Sequence, residues 1–167
     1  MNRRIALVDG DMLPYKIGYV AGKSKINLED TKKMVDVYLS NIFAEVKATH
    51  YIIFLSGKNN FRIKVSKIKV YKGNRSKEKP PYFQEIKDYL KEKYNTYYVN
   101  GAEADDALTV YQTYYGTEGI ICSDDKDLLQ KAGEHFNIRT RKTTMIDEVE
   151  AHYRIFHQLL TGDSTDN

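Results

Sequence analysis

The sequence predicts an α/β domain, a central and mainly parallel sheet with helices on both faces. Three observations carry this. Short strand-like runs at 5–9, 51–55, 96–99 and 119–123 alternate with stretches whose apolar residues recur at helical spacing. Several of those runs are nearly all apolar, as strands covered on both faces are. Acidic residues follow the runs at Asp9, at 103–106 and at 125–127, and open sheets of this class gather their functional groups beyond strand C-termini.

Taken in order, Ile5-Ala6-Leu7-Val8-Asp9 is a buried strand ending in an acid, followed by Gly10 and Asp11. The stretch with Gly18 and Gly22 reads as a loop. Asn27 is placed to cap a strongly amphipathic helix marked by Val35, Tyr38, Leu39, Ile42, Phe43 and Val46. Tyr51-Ile52-Ile53-Phe54-Leu55 is the second strand. In the basic stretch that follows, Ile63, Val65, Ile68 and Val70 leave strand and helix both open. Pro80-Pro81 starts a helix with Tyr82, Ile86, Tyr89 and Leu90 on one side. The strand 96–99 leads into a helix opening at the acidic run, with Ala104, Ala107, Leu108, Tyr111 and Tyr115 on its inner face. Gly119-Ile120-Ile121-Cys122-Ser123 is a further strand, 135–146 holds one or two short ones, and a last helix opens near Asp147 with Val149, Tyr153, Phe156 and Leu160 inward.

The 167 residues suffice for one domain with a sizeable core. Apolar runs reach only about five residues, so none spans a bilayer. No long apolar stretch follows Arg3 and Arg4, which argues against a signal peptide. The single Cys122 allows no internal disulfide and fits a reducing, cytoplasmic setting. No Cys/His spacing suggests zinc. The net charge of +3 is unevenly spread: nine of the 26 Lys and Arg but one of the 23 acids fall between Lys58 and Lys79. That segment therefore carries +8 and the remainder −5, a polarity suited to a polyanion on one side and metal ions on the other.

Glu103, Asp105 and Asp106 place three carboxylates within four positions at a strand-to-helix junction. Acids also gather there simply because the helix dipole favours them. Recurrence decides for chemistry: Asp9, Glu103, Asp105, Asp106, Asp125, Asp127, Asp163 and Asp166 form four groups. If they converge, their repulsion calls for hard divalent cations. Two Mg²⁺ or Mn²⁺ ions about 3.5–4 Å apart would suit phosphodiester hydrolysis, one activating water and the other stabilising the leaving oxygen. Lys72 and Arg75 are placed nearest the scissile phosphate, and Tyr15, Phe61 and Tyr71 are candidates for stacking on an unpaired base.

The ordered set Val8-Asp9-Gly10, Tyr71-Lys72-Gly73-Asn74-Arg75, Glu103-Ala104-Asp105-Asp106, Ser123-Asp124-Asp125-Lys126-Asp127-Leu128 and Gly162-Asp163-Ser164-Thr165-Asp166-Asn167 resembles the 5′-3′ exonuclease and flap endonuclease family. That family includes phage exonucleases and the nuclease domain of bacterial DNA polymerase I. The resemblance covers essentially the whole chain. It implies a PIN-like α/β/α nuclease domain over 1–167, cutting DNA, with RNA also open, near a 5′ end or single-stranded flap with two Mg²⁺ or Mn²⁺. It assigns the eight acids to the metal site, with Asp9, Asp105 and Asp125 catalytic beside Lys72 and Arg75. Residues 58–79 become the gateway or arch, with Lys58, Arg62, Lys64, Lys67, Lys69, Tyr71, Lys72 and Arg75 on nucleic acid.

Two departures stand out. The family usually ends its second strand in Phe-Asp, whereas this chain has Phe54-Leu55, leaving Asp11 or a water to substitute. The Asp-Asn pair normally leads into a helix-three-turn-helix segment that grips duplex DNA. The sequence ends at Asn167, so that segment is expected to be absent or supplied in trans, with a replication partner as the other expected partner. Two other readings compete. In a haloacid-dehalogenase-like phosphatase, Asp9-Gly10-Asp11 would be the paired aspartates and Asp9 the covalent nucleophile, but Leu13 stands where a threonine is expected. The third is a nucleic-acid-binding domain whose activity has decayed.

Overall fold

The computed structural model describes residues 3–65 and 78–162. Strands β1 (Ile5–Asp9), β2 (His50–Ser56), β3 (Thr96–Val99), β4 (Gly119–Ser123), β5 (Gly133–Asn137) and β6 (Lys142–Ile146) form one sheet in the order β3-β2-β1-β4-β5-β6. Every neighbouring pair is parallel except the antiparallel hairpin β5–β6. The expected strands are therefore present, and 135–146 resolves into two.

Alternation along β1 supplies both faces of the sheet. Ala6 and Val8 enter the larger core, with Leu13 and Ile17 of α1 (Met12–Lys23), Val35, Leu39 and Ile42 of α2 (Leu28–Glu45), and Ile86 and Leu90 of α4 (Phe83–Lys93). Ile5 and Leu7 turn the other way, joining Phe54, Val99, Ala107 and Leu108 under α5 (Ala104–Tyr115). The result is a three-layer α/β/α arrangement. Asn27 caps α2 by accepting from the Asp30 amide, as the sequence predicts. Residues 61–65 of the basic stretch form the short helix α3 (Phe61–Val65), which settles strand against helix there. Ile68 and Val70 lie outside the described residues.

Two expectations change. The stretch with Gly18 and Gly22 is the helix α1 rather than a loop, with Leu13, Ile17 and Ala21 on its buried face. Its glycines serve a close approach: a Cβ on Gly18 would lie 2.6 Å from the Pro81 carbonyl oxygen, and one on Gly22 2.8 Å from the Pro81 ring. Both glycines thus let α1 pack against the chain entering α4. The second correction concerns α6 (Glu148–Thr161). Val149, Tyr153, Phe156 and Leu160 do not point inward; they are between 63% and 87% exposed, and only Ala151 is buried. Periodicity finds an apolar stripe, but not the surface that covers it.

Candidate active site

The parallel strands deliver their C-terminal ends to one edge, and the acids arrive there from different elements. Asp9 ends β1 and is only 7% exposed. Ser123, at the end of neighbouring β4, donates its hydroxyl to Asp9 Oδ2 at 2.9 Å, and the Asp11 amide donates to Oδ1 at 3.1 Å. Burial pushes the Asp9 carboxyl up to about 7, with the like charges of Asp11 and Asp125 adding to the rise and the two hydrogen bonds opposing it. A carboxylate this reluctant to ionise alone is one that a cation would stabilise.

The β4 end continues the constellation. Ser123 Oγ accepts from the Asp125 amide at 3.0 Å, and Asp125 Oδ1 accepts from the Asp127 amide at 2.9 Å. One serine therefore links the Asp9 carboxylate to the backbone at Asp125. Among the described residues, neither carboxylate has a basic side chain within ion-pair reach. Asp127 Oδ1 accepts from Gln158 of α6 at 3.2 Å and borders a depression of about 410 Å³ with Arg154 and His157.

The β2 end differs. It carries Ser56, whose hydroxyl accepts from the Ala104 amide at 2.9 Å and so ties β2 to the start of α5. Asp11 precedes α1 but does not cap it. Both its carboxylate oxygens accept from the Ser56 amide at 3.1 Å, and Lys87 of α4 donates to Oδ1 at 3.2 Å and to the Ser56 carbonyl at 3.2 Å.

At α5, Asp106 accepts from the Glu103 amide at 3.0 Å, the backward half of a capping box. Arg62 grips the same carboxylate through two nitrogens at 2.6 and 2.8 Å and lies 4.0 Å from Glu103. The capping role and the cluster thus coexist in the same residues. Asp105 is half-buried in the first turn of α5. Arg62, expected on nucleic acid, is engaged within the protein, whereas Lys58 and Lys64 are exposed. Tyr15 and Phe61 remain 42% and 47% exposed, Tyr15 edge-on to Phe83 and Phe61 beneath the Arg62 guanidinium. Lys67, Lys69, Tyr71, Lys72, Arg75, Asp163 and Asp166 lie outside the described residues.

Among the described residues, no three His, Cys, Asp or Glu side chains come close enough together to hold an ion by themselves. The acids stand in two places instead, Asp9 near Asp125 at the ends of β1 and β4, and Glu103, Asp105 and Asp106 along the first turn of α5. A pair of carboxylates is the kind of donor set Mg²⁺ takes, since it keeps several waters and seldom uses an all-protein cage. Ser56, Ser123 and Lys87 neighbour these acids without having been expected as site residues. Ser123 had a signal, standing between a buried strand and an acidic run; Lys87 had none, because only the docking of α4 brings it to this edge.

A model of the 5′-3′ exonuclease N-terminal, resolvase-like domain matches residues 4–157. A 5′-3′ exonuclease of Buchnera aphidicola subsp. Acyrthosiphon pisum (strain APS) is 31% identical over 194 residues, an alignment covering 99% of this chain and 65% of the relative. The chain thus spans just under two thirds of that protein's length. Among solved structures, the bacteriophage T5 5′-exonuclease with bound zinc superposes with a TM-score of 0.73 at 19% identity, over 99% of this chain and 69% of that one. The T5 flap endonuclease in a pseudo-enzyme-product complex with DNA and metal ions gives 0.69 at 19% identity, over 99% and 68%. Identity this low speaks for the fold, and the fold is the same mainly parallel α/β/α architecture.

Proposed function

The chain belongs to the 5′-3′ exonuclease family through that family's N-terminal domain, and from this premise we propose that it hydrolyses DNA phosphodiesters near 5′ ends or single-stranded flaps with the help of two Mg²⁺ or Mn²⁺ ions. The observation that carries the reading is Asp9, a carboxylate buried at the end of the central strand, raised by its surroundings and joined to Asp125 through Ser123. Asp9 and Asp125 would hold the first ion, and Glu103, Asp105, Asp106, Asp127, Asp163 and Asp166 would complete the site directly or through water. Bound there, the ions would supply an activated water and stabilise the leaving oxygen during in-line displacement.

The protein's own work is positioning. Ser123 ties the Asp9 carboxylate to the backbone at Asp125, and Ser56 fixes the start of α5, where the three acids lie, against the end of β2. Lys72 and Arg75 would contact the scissile phosphate without reading the bases. Tyr15, exposed beside the site-forming end of α1, would stack on an unpaired base. No observation favours the phosphatase reading: Leu13, where it expects a threonine, is buried in the core.

The deciding experiment incubates the protein with 5′-labelled single-stranded, flapped and duplex DNA, and RNA counterparts, in Mg²⁺, Mn²⁺ or EDTA. Short 5′ products are expected only with metal, and Asp125→Asn or Asp105→Asn abolishes them. Cleavage in the EDTA lanes, or full activity in Asp125→Asn, would overturn the reading.

A further inference from the structure

The acidic edge is not uniformly hungry for cations. Asp9 and Asp125 have no basic side chain within ion-pair reach among the described residues, yet Asp11, two positions from Asp9, has one. Lys87 comes from α4, its side chain only 14% exposed, and its ammonium sits 3.2 Å from both Asp11 Oδ1 and the Ser56 carbonyl oxygen. Its approach is built into the packing. Gly18 and Gly22 bring α1 against Pro80 and Pro81, so α4 starts beside α1. One turn into α4, Lys87 reaches past the start of α1 to the end of β2. Asp11 is held from the other side by the Ser56 amide, which contacts both its oxygens.

A carboxylate and a backbone carbonyl converging on one point are the hard oxygen donors a divalent ion takes. Here an ammonium occupies that point. Resting on the metal-dependent reading above, we propose that Lys87 is a positioning residue that fills the β2 end of the site with a fixed monovalent cation. Asp11 is then Lys87's counter-ion and not a metal ligand, and divalent ions are confined to the side of Asp9, Asp125 and α5. The missing β2 carboxylate is thereby answered by a protein cation rather than by recruitment of Asp11 to metal.

Direct Mn²⁺ binding tests this, read from the electron paramagnetic resonance signal of free Mn²⁺ during titration of the whole chain. Asp11→Asn is expected to bind as many ions as the wild type; loss of an ion would make Asp11 a ligand and overturn the assignment. Lys87→Met keeps the apolar stem while removing the charge, and is expected to bind one Mn²⁺ more than the wild type. Lys87→Arg keeps the wild-type count, and Lys87→Met with Asp11→Asn returns to it. No gain in Lys87→Met, or a gain that survives Asp11→Asn, sinks the proposal. Circular dichroism of each variant separates binding from unfolding, and the Asp11→Asn arm still decides if Lys87→Met does not fold. A wild-type chain that binds no Mn²⁺ would instead count against the metal-dependent reading, which Asp125→Asn reports on separately.

Discussion

Asp9 shows how one residue can be costly to the fold and useful to the site. Its carboxyl is raised to about 7, chiefly by burial, so the folded chain retains a proton that the unfolded chain releases at lower pH. Without metal, the stability from this group is full below the ordinary carboxylate pKa and is lost as pH rises towards about 7. Thermal melts in chelator should therefore show a Tm that falls between pH 5 and pH 7, by up to roughly 1.4 kcal/mol of stability per pH unit. Asp9→Asn should flatten that slope; an unchanged slope would assign it to other groups. Gly10 is fixed by space in the same way. A Cβ there would lie 2.7 Å from Ile53 Cγ2 and from the Phe54 carbonyl oxygen, which itself accepts from the Gly10 amide at 2.8 Å. Gly10→Ala should cost about 1–3 kcal/mol in denaturant unfolding, the usual range for overpacking. It should also weaken Mn²⁺ binding, because the clash falls directly after Asp9.

At the scale of elements, two helices set the character of the molecule. The glycine face of α1 is a docking surface, and Gly18→Val should destabilise the fold by at least as much as Gly10→Ala, since the nearest atom, 2.6 Å from the added Cβ, is the Pro81 backbone oxygen. The apolar stripe of α6 behaves oppositely. With Leu160 87% exposed, Leu160→Ser should shift stability by less than about 0.5 kcal/mol. Leu90→Ala, in a helix whose Leu90 is fully buried, should cost about 2–5 kcal/mol. A large loss from Leu160→Ser would mean that α6 packs inward after all. At α5, the chemistry of caps and the chemistry of the site share residues. Asp106 satisfies the Glu103 amide and carries Arg62, so the start of the basic segment is pinned to the acidic helix by a two-pronged ion pair.

Across the whole molecule, charge is divided between a +8 segment at 58–79 and a remainder of −5. DNA affinity is therefore expected to fall steeply with salt, and Lys72→Ala with Arg75→Ala should lower the slope of log K against log salt by about two, one for each lost phosphate contact. An unchanged slope would remove both residues from the phosphate path. Much of this architecture was legible in the sequence. Strand positions, the Asn27 cap, the inner face of α5 and the placing of acids after strand ends follow from local periodicity and residue chemistry, which neighbouring residues alone determine. The sequence also carried the family, because ordered motifs survive as letters. What it could not determine was anything that depends on which surfaces meet. Gly18 and Gly22 look like loop residues until Pro81 is found against them, and the stripe of α6 looks like core until it is found exposed among the described residues. Asp11 looks unpaired in the sequence until Lys87 arrives beside it from a helix 76 positions away. Those outcomes belong to the tertiary structure because burial and ion pairing are properties of pairs distant in the chain, and no local pattern encodes the partner.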